Sequence, residues 1–205
     1  MKTENYMDNF DRLNSFLGRE ETISNSHRVR FVGKDSIDKN FSKALSSVRL
    51  NLAQAIINGN HYKISIADIN LWTQIILNRI LFIRVCEARG LERDGLLKDF
   101  AATDFWTEFK RSSYIDFYEH YDGPMFARIR HIQDLIIDNA VFDDLLSYLY
   151  YPSPYCFDVI PLKSISDIYD LFLGYHLEYD DSGILENVLK SEFRKSNGAV
   201  TTPEH

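Results

Sequence analysis

The stretch from Ile66 to Arg89 constrains the fold more than any other part of the chain. Ile69, Leu71, Trp72, Ile75, Ile76, Leu77, Ile80, Leu81, Phe82, Ile83 and Val85 leave little of a helical circumference polar. A helix apolar nearly all round is buried on several sides. Residues 66–89 are therefore expected to form the central helix of a domain. Ser65-Ile66-Ala67-Asp68, a serine with a carboxylate three residues on, marks its start, and Gly90 its end. Asn78, Arg79 and Arg84 interrupt the stretch and argue against a comfortable bilayer crossing, so no membrane partner is expected. Arg84 and Glu87 sit three apart on this helix, where an unpaired charge is costly. They are expected as a buried or half-buried structural pair that fixes how the helix docks. A functional role for them lacks a third polar group close by in sequence.

The remaining pattern is also helical. Nine glycines and five prolines in 205 residues make about 7%, against a usual level near 12%. Breakers this scarce favour long helices over a turn-rich β-sandwich. Phe41, Ala44, Leu45, Val48, Leu52, Ala55 and Ile56 recur at steps of three and four. Ser36 is expected to cap that helix, and Asn58-Gly59-Asn60 to end it through a residue that tolerates the left-handed conformation. Shorter amphipathic pieces follow at 96–100, 104–111 and 114–120, with a turn at Asp122-Gly123-Pro124. Helices are then expected over 128–138, with Ile129, Ile132, Leu135 and Ile136 as its stripe, and over 141–150. Tyr151-Pro152-Ser153-Pro154 breaks the chain into an extended segment. A last helix, capped near Ser164, carries Ile168, Leu171, Phe172, Tyr175 and Leu177. The fold class read from this is mainly α: an irregular multi-helix bundle around the central helix, with extended segments near 152–160 and at the C-terminus. Residues 1–35 form an N-terminal arm, 36–180 the helical domain and 181–205 a polar tail. Val29, Phe31 and Val32 mark a short extended piece in the arm.

Composition and motifs exclude more than they assign. Thirty acidic against 23 basic residues give a net charge of −7, which argues against a general nucleic-acid or anionic-membrane binder but allows a local basic patch. Two cysteines, Cys86 and Cys156, are too few for a disulfide framework and suit a reducing cytoplasm. Gly33-Lys34 lacks the rest of a phosphate-binding loop, since position 28 is Arg and position 35 is Asp. Ser36-Ile37-Asp38-Lys39 lacks the companions of an acyl-enzyme serine. Two polar clusters have the residue types for a metal: Asp116, Glu119, His120 and Asp122, and His176, Glu178, Asp180 and Asp181. Both fall where a helix meets a turn, where solvated charges normally collect, so no metal site is expected. Tyr150, Tyr151 and Tyr155 have the chemistry to stack on a base, but around two prolines they are expected to pack an irregular segment onto helices.

Three segments, in order, carry a resemblance. The first is Leu77-Asn78-Arg79-Ile80-Leu81-Phe82-Ile83-Arg84-Val85-Cys86-Glu87-Ala88-Arg89-Gly90-Leu91. The second runs from Tyr155-Cys156-Phe157-Asp158-Val159-Ile160-Pro161 to Ile168-Tyr169-Asp170-Leu171-Phe172-Leu173-Gly174. The third is Arg194-Lys195-Ser196-Asn197-Gly198-Ala199-Val200-Thr201-Thr202-Pro203-Glu204. Together they resemble the type IIG/IIS restriction–modification enzymes and related adenine-N6 DNA methyltransferases. In that family such segments form a helical connector before the methyltransferase domain, and the last begins that domain. The resemblance implies that Thr202 and Pro203 belong to the edge of an S-adenosylmethionine site. It implies DNA as a partner, through the parent protein, and a methyltransferase domain in cis or as a separate subunit. Val200 and Thr201 stand where the family usually has two tyrosines, and Asp170 where it usually has Glu.

The family's Asn/Asp-Pro-Pro-Tyr/Phe motif, its glycine-rich cofactor loop and a nuclease core are not found in the 205 residues. The expectation is thus an N-terminal half of a restriction–modification protein, either an excised piece or one product of a split gene, with no catalytic residues and no cofactor of its own. The alternative is a self-contained acidic interaction protein, an inhibitor or DNA mimic, whose charge attracts basic partners.

Overall fold

A computed structural model describes residues 34–121, 124–153, 155, 157 and 174–190, with side chains from Phe41 onward. Seven helices precede a two-stranded hairpin within these residues. They are α1 (Lys34–Gly59), α2 (Ile66–Ala88), α3 (Leu96–Ala101), α4 (Phe105–Tyr114), α5 (Asp116–Tyr121), α6 (Arg130–Asp134) and α7 (Ala140–Leu149). A 3-10 turn at Pro124–Phe126 separates α5 from α6. Strands β1 (Tyr175–Tyr179) and β2 (Leu185–Leu189) complete the order. The mainly helical class read from the sequence holds.

The α1 stripe is real: Phe41, Leu45, Val48, Leu52 and Ile56 are all buried. They face α2 and α7, and Phe41 also packs edge-on or tilted against Phe157 and Tyr155. Full burial of such a side chain is worth about 1.5–3 kcal/mol, so five in one row hold the helix firmly. Lys34 already belongs to α1, so Ser36 lies inside the first turn and is not its N-cap.

Central helix α2 is buried on most sides, from Ile69 through Ile75–Ile80 to Ile83–Glu87; Leu71, 52% exposed, is its outward point. By length and composition alone this helix could cross a membrane, but 56% of its apolar window is packed inside the fold. Ser65 caps it, accepting the Asp68 N–H at 3.1 Å. Gly90, at φ +69°, ends it in the left-handed region. There the Leu91 N–H returns to the Cys86 carbonyl at 2.9 Å and the Gly90 N–H to Glu87 at 3.0 Å, the paired bonds of a Schellman end. Aromatic stacking joins α4 to α7: Phe105 lies 4.3 Å from Phe142 between ring centroids, and Trp106 lies 5.9 Å from it.

The structure corrects the sequence reading in three places. First, residues 128–138 are not one helix. Helix α6 spans Arg130–Asp134, and Leu135 to Ile137 run extended, with Leu135 and Ile137 buried and Ile136 66% exposed. The side-chain amide of Asn60 replaces the missing helical bonds. It accepts the Ile136 N–H at 3.1 Å and donates to the Ile136 carbonyl at 3.0 Å. The Trp106 indole N–H holds the Leu135 carbonyl at 2.8 Å.

Second, Gly59 is the last residue of α1 and not a left-handed terminator. It is glycine because a Cβ there would sit 2.2 Å from the Ile136 carbonyl oxygen. Gly59→Ala is expected to destabilise the chain by about 1–3 kcal/mol in chemical denaturation, although alanine is the better helix former by about 1 kcal/mol. A variant as stable as wild type would show that the two backbones do not meet.

Third, Tyr175 and Leu177 lie on β1, not on a helical stripe. Tyr175 pairs with Leu189, Leu177 with Asn187 and Tyr179 with Leu185 in an antiparallel register. Asp180 builds the connecting turn by accepting the N–H groups of Ser182 at 2.9 Å and Ile184 at 2.7 Å, and Gly183 takes φ +76°. Leu177 is buried with Ala53 and Ile69, so the hairpin packs on α1 and α2. Ile168, Leu171 and Phe172, the piece around Val29–Val32 and the tail beyond 190 lie outside the described residues.

Candidate functional site along the central helix

Three polar nodes radiate from α2, and each couples it to a distant segment. At the C-terminal end, Arg84 Nη1 lies 3.3 Å from Glu87 Oε2, with the two side chains 8% and 0% exposed. Arg84 Nε donates to the Leu149 carbonyl at 2.9 Å, and the guanidinium lies over the rings of Tyr150 at 4.5 Å and Phe157 at 5.3 Å. Glu87 also accepts the Tyr150 hydroxyl and, at 2.9 Å, the Leu97 N–H. Four segments thus meet on one ion pair: α2, the start of α3 and the end of α7, with the segment containing Phe157 against Arg84.

Burial raises the Glu87 carboxyl above its ordinary range, against the opposing pull of Tyr150, the Leu97 amide and Arg84. Burial and the neighbouring carboxylate push the Tyr150 phenol far up, so it keeps its proton and donates. Every strong group here has a partner within the fold, and almost none of the surface meets solvent. The geometry suits a rivet between helices: the Glu87 side chain is 0% exposed and already accepts from Arg84, Tyr150 and the Leu97 amide.

Midway along α2, Arg79 is 1% exposed. Its Nε donates to the Met125 carbonyl at 2.7 Å, Nη2 to Ala127 at 2.8 Å and Nη1 to the Tyr114 hydroxyl at 3.4 Å. The guanidinium also lies over the Tyr114 and Phe126 rings. Near the start of α2, Asn70 accepts the Leu177 N–H at 2.7 Å and donates to the Leu177 carbonyl at 2.8 Å, as a third β-strand would. Arg49 on α1 donates to the Tyr175 carbonyl at 2.8 Å and to Asn70 at 3.1 Å. Burial lowers the Arg49 pKa to about 10, which leaves it charged at neutral pH.

The other sequence candidates do not converge. Cys86 is buried, and burial pushes its thiol up to about 12, so it is no thiolate nucleophile near neutral pH; Cys156 lies outside the described residues. Among the described residues no three of His, Cys, Asp and Glu come together as a metal site would require. His176 contacts Glu178, and Asp180 is occupied by its own turn. Tyr150 and Tyr155 pack as expected, but Tyr151 is 92% exposed. Thr202 and Pro203 lie outside the described residues. Sequence reasoning missed Arg49, Asn60, Asn70 and Arg79 as organising groups. An arginine inside an apolar helix was the one visible signal, at Arg79.

No family model matches the chain, and no solved structure matches it. The chain is similar to the type II restriction enzyme and methyltransferase RM.Eco57I of Escherichia coli. Identity is 29% over 208 residues, covering 97% of this chain and 20% of that protein. It therefore spans about a fifth of the length of the relative it matches. The similarity relates the chain to restriction–modification enzymes.

Proposed function

We propose that this chain is the helical connector of a restriction–modification protein, which holds an adenine-N6 methyltransferase domain in position on DNA and carries no chemistry of its own. The observation that carries the reading is the extent of the match: nearly the whole chain aligns with one fifth of a protein that is both restriction enzyme and methyltransferase. The described interior supports it. Arg79, Arg84 and Glu87 bind carbonyls, amides and each other, which makes a stiff spacer. The methyltransferase domain, in cis or as a separate subunit, would supply the S-adenosylmethionine site, with Thr202 and Pro203 at its edge. DNA is engaged through that assembly, and a cytoplasmic location belongs to the same proposal.

The purified chain is expected to transfer no methyl group from labelled S-adenosylmethionine to duplex DNA and to leave the duplex uncut. Supplied with the methyltransferase portion, it should raise methylation at that portion's own site. Methyl transfer or cleavage by the chain alone would overturn the reading. A chain that lowers methylation by the added portion would instead favour the acidic inhibitor, whose basis is the net charge of −7.

A further inference from the structure

The two edges of the β1–β2 hairpin are finished differently. On the β1 side, Asn70 pairs with both the N–H and the carbonyl of Leu177, and Arg49 donates to the Tyr175 carbonyl. Those groups point away from β2. Their register partners Leu189, Asn187 and Leu185 therefore point their own N–H and carbonyl groups away from β1. Among the described residues, no backbone group bonds to them on that side. The strand reads Leu185-Glu186-Asn187-Val188-Leu189, with one charge and no proline to blunt its edge. Natural sheets cover or pair an edge of this kind.

Two further features mark the same strand. Asn187 Nδ2 donates to the Ser46 carbonyl at 2.6 Å, but among the described residues its buried Oδ1 meets no donor. An unmet buried acceptor calls for a partner. Leu177 faces α1 and α2, so His176, Glu178, Glu186 and Val188 face away from them. On that outer face Glu178 and Glu186 stand directly opposite, both exposed, where like charges repel. His176 contacts Glu178, and among the described residues Glu186 has no ion pair. The hairpin turn adds Asp180 and Asp181, and Lys190 lies past the far end of β2. Lys43, Lys63 and Asp68 come from the α1–α2 layer that Leu177 faces.

The chain that precedes α1 has the length and the charge to fill this edge. Leu185 packs into the cluster of Ala53, Ile69 and Leu177, and Asn187 reaches Ser46, so β2 runs toward the start of α1. Ser46 lies about 18 Å along the helix axis from Lys34, the first residue of α1. An extended chain turning back at Gly33 would cover that distance in about five or six residues, which brings Arg28 level with Asn187. Arg28-Val29-Arg30-Phe31 alternates basic and apolar residues with the period of a strand, and residues 26–34 contain no acid. We propose that Arg28–Val32 add a third strand to the open edge of β2. It runs parallel to β2, since both lead toward the start of α1. Val29 and Phe31 face α1, and Arg28 and Arg30 take the outer face, Arg28 next to Glu186. Exposed charges add little affinity, so they set register, while backbone bonds and the two apolar anchors hold the strand. The hairpin is the last described element in chain order, so the added strand fastens the two ends of the helical domain to each other.

Amide hydrogen exchange on the whole chain tests this at the outward N–H groups of Asn187 and Leu189. Both are expected to exchange at least about tenfold more slowly in the wild type than in Phe31→Pro, which removes an apolar anchor and a backbone donor. Ile76, at the centre of α2, should keep its protection in both chains. Arg28→Glu and Glu186→Arg should each speed exchange at Asn187, and the two together should restore it, as a coupled charge pair does. A double variant no slower than the single ones would overturn the register that sets Arg28 beside Glu186. Fast exchange of both amides in the wild type would overturn the strand itself. So would protection that survives Phe31→Pro, and its fading on dilution would then give the edge to a second copy of the chain.

Discussion

Glu87→Ala is expected to lower the stability of the chain by about 3–5 kcal/mol, the cost of stranding one member of a buried ion pair. The mutation leaves Arg84 charged in a site 8% exposed, with the Leu149 carbonyl and two aromatic faces as compensation. It also strands the Tyr150 hydroxyl and the Leu97 N–H, both of which end on this carboxylate. Chemical denaturation reads the loss, and a midpoint equal to wild type would show that water reaches the pair. The pH dependence has a definite sign. Burial raises the folded-state pKa of Glu87 above its unfolded value, about 4.3. Its contribution is therefore complete below that unfolded value and is lost as pH rises through the folded one. Wild type should accordingly lose stability relative to Glu87→Gln as pH rises from about 4 towards neutrality. A difference that moves the other way would mean that Arg84 and the hydrogen bonds outweigh desolvation.

Arg79→Ala is expected to cost about 3 kcal/mol or more. Two backbone carbonyls, of Met125 and Ala127, lose their donor at about 1–3 kcal/mol each when buried, and a cavity opens in the middle of α2. Arg79→Lys should recover a minority of this, since one ammonium cannot reproduce a planar fork that reaches two carbonyls and a phenol. Hydrogen exchange distinguishes the proposed anchoring from a general loss of packing. Protection should fall first around Met125–Ala127, which Arg79 ties to α2. A uniform fall along the chain would show that the arginine only fills space.

These two residues also show where sequence reading stops. Arg84 and Glu87 are three apart on one helix, and the apolar frame around them makes a pairing necessary, so the pair was visible from spacing alone. The same holds for the stripe of α1, the all-round burial of α2, Ser65 at one end of that helix and Gly90 at the other. Each depends on neighbours within four or five residues, where helical geometry converts spacing directly into contact. Arg79 looked like an interruption because its acceptors are backbone carbonyls 46 and 48 residues away. Asn60 and Asn70 complete backbone pairs 76 and 107 residues on, and Arg49 reaches 126. A backbone carbonyl carries no residue identity, so nothing in the sequence announces that one will be waiting. That is also why Leu135–Ile137 and Tyr175–Leu177 read as helix. Their apolar spacing fits either period, and the choice was made by side-chain amides just past the end of α1 and on α2 that satisfy extended backbone at those two places. Local pattern determined which helices form and which faces they bury, whereas tertiary structure decided where the chain leaves the helix, because only there can distant polar groups replace the bonds given up.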